Sequence, residues 1–161
     1  MKKRKFEIVS RYQKQNVSLP LRQTQSAAGY DLAAAEDFVV PSIWKEGPQP
    51  SQVALTPVLV PTGLKVCLPA DEVLLLVNRS SGPLKRGLVL PNSIGVIDAD
   101  YYNNDNNEGE IFVQMLNFFP QDYHIKKGER ICQGIFMKYL TTTDDLPSTV
   151  QRVGGFGSSD K

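Results

Sequence analysis

The chain has 161 residues, with 18 Lys and Arg against 17 Asp and Glu and a formal net charge of +1. That length supports one domain with its own core, and the balanced charge supplies no global field to recruit nucleic acid or a membrane surface. No apolar run approaches the ~20 residues that span a bilayer, and Phe6-Glu7-Ile8-Val9 is no signal-peptide core, so a cytoplasmic location is expected.

In chain order, the basic residues 2–5 read as a solvated tail, followed by a first apolar segment over 5–9. Eleven prolines and twelve glycines punctuate the rest and leave no window for a long amphipathic helix. Between them, segments rich in β-branched, aromatic and aliphatic residues predict strands over 53–60, 64–68, 72–77, 94–97, 110–117 and 130–140. Short strands separated by turn residues predict an all-β fold: an antiparallel sandwich, barrel or jelly roll. Two stretches read as loops, PSIWKEGPQP (41–50) and YNNDNNE (102–108), the second being nearly pure turn chemistry. Cys67 and Cys132 each lie in an apolar segment, which predicts free buried thiols in a reducing compartment. The terminal GGFGSSDK (154–161) predicts a flexible tail, although a mobile tail gains nothing from Phe156 unless the ring docks.

Several chemistries are excluded. His124 is the one histidine, and without a histidine pair, CxxC or HExxH a zinc site is not expected. Nothing beside His124 resembles a nucleophile elbow, so it reads as a surface residue. There is neither a GxxxxGK[ST] loop nor a GxGxxG turn. Four constellations remain: Asp31 in AAGYDLAA, the Asn78-Arg79-Ser80-Ser81-Gly82 run, Asp98 at the end of Ile94-Gly95-Val96-Ile97, and the glycine-rich tail behind Arg152. Each has a plainer alternative. Asp31 could bond local N–H groups, and the second run could be an ordinary turn rather than an anion site. Asp98 raises a sharper question, since an unpaired carboxylate at the end of an apolar strand is costly.

The order of these features carries a resemblance. AAGYDL (27–32), NRSSG (78–82), PNSIGVIDADY (91–101), GERICQGIF (128–136) and RVGGFGSS (152–159) resemble the five motifs of the homotrimeric deoxyuridine triphosphatases, the dUTPases. The linking PTGLKVCLP (61–69) is similar to the family's segment between the first two motifs. The resemblance implies a β jelly roll, or distorted barrel, over residues 1–153, assembled as a homotrimer. Residues 154–161 would be the tail that closes an active site lying between two other subunits. The implied reaction is hydrolysis of dUTP to dUMP and pyrophosphate by water attack on the α-phosphorus, which keeps uracil out of DNA and supplies dUMP for dTMP synthesis. Magnesium on the triphosphate is the implied cofactor, and neither nucleic acid nor membrane is an implied partner.

By the same resemblance, Asp98 matches the aspartate that holds the catalytic water and contacts the 3′-hydroxyl. Arg79, Ser80, Ser81 and Gly82 match the phosphate-contacting second motif, with Ser81 where many members have glycine. Asn92 and the hairpin backbone through Gly95 and Ile97 match the uracil pocket, and Tyr101 matches the aromatic that packs on deoxyribose. Gln133 matches a residue near the phosphates. Asp31 would steady the waters of magnesium rather than bind it directly. In the tail, Phe156 would stack on uracil, while Arg152, Gly157 and Ser158 would reach the β- and γ-phosphates.

Two departures stand out. Arg152 lies four residues before Phe156 where many members have five, with Gln151 at the usual place. Residues 102–108 also intervene before Gly109, which predicts a solvent-facing insertion without catalytic duty. The rival enzyme, dCTP deaminase, needs a glutamate where counting from Gly109 gives Gln114, and an amide cannot act as a general acid–base. A rival of another class is a phage-borne, nucleotide-gated regulator, for which loops 41–50 and 102–108 would dock a protein partner.

Overall fold

The computed structural model describes residues 3–44, 55–146, 149, 152, 154 and 155. Among these residues the chain forms eleven strands and only short helical turns. Among the described residues no helix is long and apolar enough to cross a membrane.

Alternation decides which strands form. In β5 (Leu64–Cys67) Leu64 and Val66 are buried while Lys65 and Cys67 are only half-covered. In β6 (Glu72–Asn78) Leu74 and Leu76 turn inward, and in β9 (Phe112–Asn117) Val113 and Met115 do the same. This two-residue period commits one face of each strand to the interior.

The longest sheet runs β2 (Tyr30–Ala33), β11 (Arg130–Lys138), β6 and β8 (Gly95–Ile97), all antiparallel. A second sheet orders β4 (Val58–Pro61), β9 and β7 (Leu88–Val89). Two ribbons complete the body: β1 (Lys5–Ile8) on β5, and β3 (Phe38–Val40) on β10 (Tyr123–Ile125). One core unites them, with Leu32, Val60, Leu64, Leu74, Ile111 and Met115 at most 1% exposed.

The apolar segments predicted from sequence reappear as strands with shifted ends. β4 begins at Val58, and residues 53 and 54 lie outside the described part. The short strands β2, β3, β7 and β10 were not among those predicted. Both cysteines are free, and burial pushes the Cys132 thiol up to about 12. His124 is exposed, as expected.

Two expectations need correction. The stretch 94–101 is not one arm of a hairpin. β8 pairs with β6, whereas β9, the next strand, pairs with β4 and β7, so the segment between them crosses from one sheet to the other. Nor is loop 102–108 wholly solvent-facing: Asn103, Asp105 and Asn106 are exposed, but the rest packs on the body. Asn104 is buried, Tyr102 is half-buried and bonded to Glu7, and Lys65 of β5 reaches Asn103 and Glu108 at 2.6 and 3.3 Å. Polar composition suggested a solvated excursion, but amides that satisfy one another can be packed against a sheet.

Candidate active site

β8 ends at Ile97, whose side chain is buried, and the chain then leaves the sheet through a tight turn at Ala99–Tyr101. Asp98 lies at that exit with extended backbone, φ −80° and ψ 160°. The expensive charge is therefore not buried. It stands half-exposed at the strand end and pairs with Arg152, Nη2 to Oδ2 at 2.8 Å. The same guanidinium reaches exposed Asp100 through Nε at 3.0 Å.

Beside this exit is a cavity of about 150 Å³. Leu76, Leu90 and Val113 supply apolar wall, Asn92 and Gln114 supply amides, and Gly95, Ile97 and Tyr101 complete the side toward β8. Gly95 allows β8 to press onto β6, since a Cβ there would lie 3.1 Å from the Leu76 Cβ. Ser93, at the bend before β8, adopts a left-handed φ of 61°, an unfavourable conformation for a non-glycine residue. Tyr101 is 3% exposed, and its hydroxyl donates to the Glu110 carbonyl at 2.9 Å. Burial raises its phenol, keeping the hydroxyl a donor. Gly155 rests on the Tyr101 ring, where a Cβ would come within 2.8 Å of Cε2.

A second constellation forms where β2, β11 and β6 lie in register. Asp31 is opposite Gln133, and Gln133 is opposite Val77. The Asp31 carboxylate is buried and accepts from Arg79 Nε, Arg130 Nη1 and Gln133 Nε2, each at 3.2 Å. Gly29 permits the Gln133 side chain to lie across β2, because a Cβ would come within 3.1 Å of it. Beyond β6, Ser80 is exposed and Ser81 half-buried, while Gly82 opens a wide helical turn, Gly82–Arg86. Arg86 from that turn meets the Ser81 hydroxyl at 3.3 Å and Glu129 at 2.5 Å. Burial alone would raise the Glu129 carboxyl. The Tyr123 hydroxyl, the Lys126 N–H and Arg86 outweigh it and hold the group below its ordinary value. Three guanidiniums, of Arg79, Arg86 and Arg130, thus share two carboxylates, leaving this end net positive.

The predicted residues therefore gather in two places. Asn92, Gly95, Ile97, Asp98, Tyr101 and Arg152 cluster about β8, whereas Asp31, Arg79, Ser80, Ser81, Gly82 and Gln133 belong to the other end of the main sheet. Register separates them: Ile97 pairs with Leu74, and β6 runs four positions farther to Asn78 before the turn that carries Ser80. At about 3.3 Å per residue that is roughly 13 Å of strand, with the turn beyond it, within one chain. Phe156, Gly157 and Ser158 lie outside the described residues. Arg130 was missed as a partner of Asp31, although it sits inside the fourth motif, two positions before Cys132.

A family model named dUTPase matches residues 15–160. The chain belongs to the dUTPase family. A deoxyuridine 5′-triphosphate nucleotidohydrolase of Lactococcus lactis is 46% identical over 160 residues, covering 99% of each chain. The enzyme of the same name from Wolinella succinogenes is 30% identical, covering 100% of this chain and 97% of its own. Among solved structures, the dUTPase of Streptococcus mutans is 47% identical with a TM-score of 0.74, covering 85% of this chain and 97% of that one. A mutant dUTPase of phage phi11 of S. aureus, described with a structural Mg(II) ion, shares the fold at 20% identity and TM-score 0.66, covering 91% and 96%. The all-β jelly roll expected from sequence is thus the family fold.

Proposed function

We propose that this chain hydrolyses dUTP to dUMP and pyrophosphate, with Asp98 as the base that orients and activates water at the α-phosphorus. The observation that carries the reading is Asp98 at the strand exit beside a small cavity walled by Tyr101. A cavity of about 150 Å³ has room for one six-membered base. Asn92 and the backbone between Gly95 and Ile97 read the uracil edge, and Tyr101 is the wall against the deoxyribose. Gln114, an amide on the cavity wall, offers no acid–base group for deamination.

Arg79, Ser80, Ser81, Gly82 and Gln133 receive the phosphates at the cationic end of the sheet. Fixed donors there are aimed at developing charge without needing to reorganise. Asp31 is not free to be a bare anion; it holds Arg79 and Gln133 in the orientation that faces the phosphates. A carboxylate has about four acceptor positions, and the three donors named leave Oδ2 room for one more bond. That remaining acceptor position is what would receive a water of magnesium carried on the triphosphate. Bound there, the ion would neutralise phosphate charge and align the chain of phosphates.

Since roughly 13 Å of strand and the turn beyond it separate Asp98 from Ser80, one chain does not bring both to a single α-phosphorus. We therefore propose a homotrimer with the β8 half of each site from one subunit and the Asp31 half from another. Arg152 exchanges its pairing with Asp98 and Asp100 for the phosphates when substrate binds, which frees Asp98 for water. Phe156, Gly157 and Ser158 from the tail of a third subunit close the site; within the single chain Gly155 rests on the Tyr101 ring, a surface on which such a tail can dock. Residues 1–153 are then the β domain and 154–161 the closing segment. Two free thiols are compatible with a cytoplasmic enzyme.

The test is release of pyrophosphate over dUTP, dTTP, dCTP and UTP, with ammonia followed in the dCTP reaction. Turnover of dUTP in strong preference to the others is expected. Ammonia from dCTP, or equal turnover of dTTP, would overturn the proposal.

A further inference from the structure

We propose that loop 102–108 is a clamp on Tyr101, with Asn107 the positioning residue that sharpens selection of deoxyribose over ribose. The inference rests on Tyr101 being the sugar wall. The loop has no part in the chemistry above, yet two of its asparagines, Asn104 and Asn107, bond that one tyrosine.

The Tyr101 hydroxyl donates to the Glu110 carbonyl at 2.9 Å and accepts from Asn107 Nδ2 at 2.8 Å. The orientation of the Asn107 amide follows from its other contacts. Its Oδ1 accepts from Asn104 Nδ2 at 2.9 Å and from the Gly109 N–H at 3.0 Å. Turned over, the amide would set N–H against N–H at both places. Asn104, buried beneath the loop, also donates to the Tyr101 carbonyl at 2.9 Å. Its own oxygen accepts from the Asn106 and Asn107 N–H groups at 3.1 and 3.3 Å. The loop thus holds both ends of the residue, the backbone through Asn104 and the ring tip through Asn107.

The clamp is itself fastened to the body. Glu108 accepts from the Ser10 N–H and hydroxyl at 3.3 and 3.0 Å, beside the Lys65 contacts on β5. Its path is tight, with left-handed φ at Asn103, Glu108 and Gly109. A Cβ at Gly109 would come within 2.5 Å of the Tyr101 carbonyl oxygen, so the loop closes directly against the residue it holds. A polar network in which every member is bonded is rigid. Steric exclusion of one hydroxyl from a pocket is worth only about a hundredfold, and it holds only while the wall does not swing aside.

The experiment compares kcat/KM for dUTP and UTP in the full-length wild type, N107D, Y101F, the double variant and Y101A. N107D keeps the shape and the Oδ1 acceptor but replaces the donor with an acceptor; the hydroxyl, with one proton to give, then bonds either the Glu110 carbonyl or the new carboxylate, so two ties become one. The UTP-to-dUTP ratio should rise about five- to tenfold in N107D, the worth of one neutral hydrogen bond. Y101F should shift it likewise, and N107D should add nothing in the Y101F background. If N107D does not fold, N107A in the wild-type and Y101F backgrounds replaces it, since Y101F by itself removes the Glu110 and Asn107 bonds together. A ratio unchanged even in Y101A sinks the sugar-wall reading itself. A ratio changed in Y101A but unchanged in N107D, or shifted equally by N107D in both backgrounds, sinks the clamp alone.

Discussion

At the scale of single residues, the site depends on where carboxylates are allowed to be charged. Asp98 escapes burial because the chain leaves the sheet beside it, and Asp31 is buried but answered by three donors. Glu110 is different. It is 5% exposed, and burial raises its carboxyl above the ordinary value although the Gly63 N–H donates to it at 3.2 Å. A raised folded-state pKa means the group favours folding below its unfolded pKa, and that contribution is lost as pH rises through the folded value. Glu110→Gln removes this titration while keeping an acceptor for Gly63. Thermal unfolding should therefore show the variant gaining on the wild type between pH 4 and pH 7, and a difference independent of pH would contradict the burial account. None of this was legible in the sequence. Asp98 could be singled out because a motif surrounds it, whereas the environment of Glu110 is assembled from Gly63, Tyr12 and Tyr101, which come from separate segments.

At the scale of elements, the apolar strands were legible because burial imposes a two-residue period, and β5, β6 and β9 carry it plainly. β3, β7 and β10 were not, since two or three residues are too few to show a period. Their positions are set by side chains that act at a distance. Asn117, fully buried at the end of β9, donates to the Val40 carbonyl at 3.2 Å and the Gln121 carbonyl at 2.7 Å, and accepts from the Phe119 N–H at 2.9 Å. It ties the end of β3 to β9 and to the turn before β10. Asn117→Ala should cost about 2–3 kcal/mol, the penalty for stranding buried backbone groups, measured by urea unfolding; a loss under about 0.5 kcal/mol, the usual surface value, would show that water replaces the amide. Loop 102–108 teaches the same lesson from the other side. Its asparagines read as solvated turn chemistry because composition does not reveal which amides satisfy one another.

At the scale of the molecule, the motifs were legible in order but not in space. Reading along the chain gives five short signatures; only the pairing of β6 with both β8 and β11 shows that they gather in two separate places. Asp98 emerges near Leu74 and the Asp31 cluster forms opposite Val77, with Arg79 and Ser80 beyond it. On the proposal that both halves serve one reaction, a single subunit is incomplete and association of copies is part of the chemistry. Closed symmetric assembly repeats the same complementary contact at every site.

Subunit mixing tests this most directly. D98N retains the shape of the side chain but cannot act as the base, and Arg79→Ala removes a phosphate donor from the other half. Each variant alone should be nearly inactive in pyrophosphate release from dUTP. Mixed in equal amounts, dissociated and reassembled, they should recover about a quarter of wild-type activity if each site draws one half from each of two randomly assorted copies. Exchange of subunits demonstrated by mass, with no activity regained, would contradict a site shared between chains.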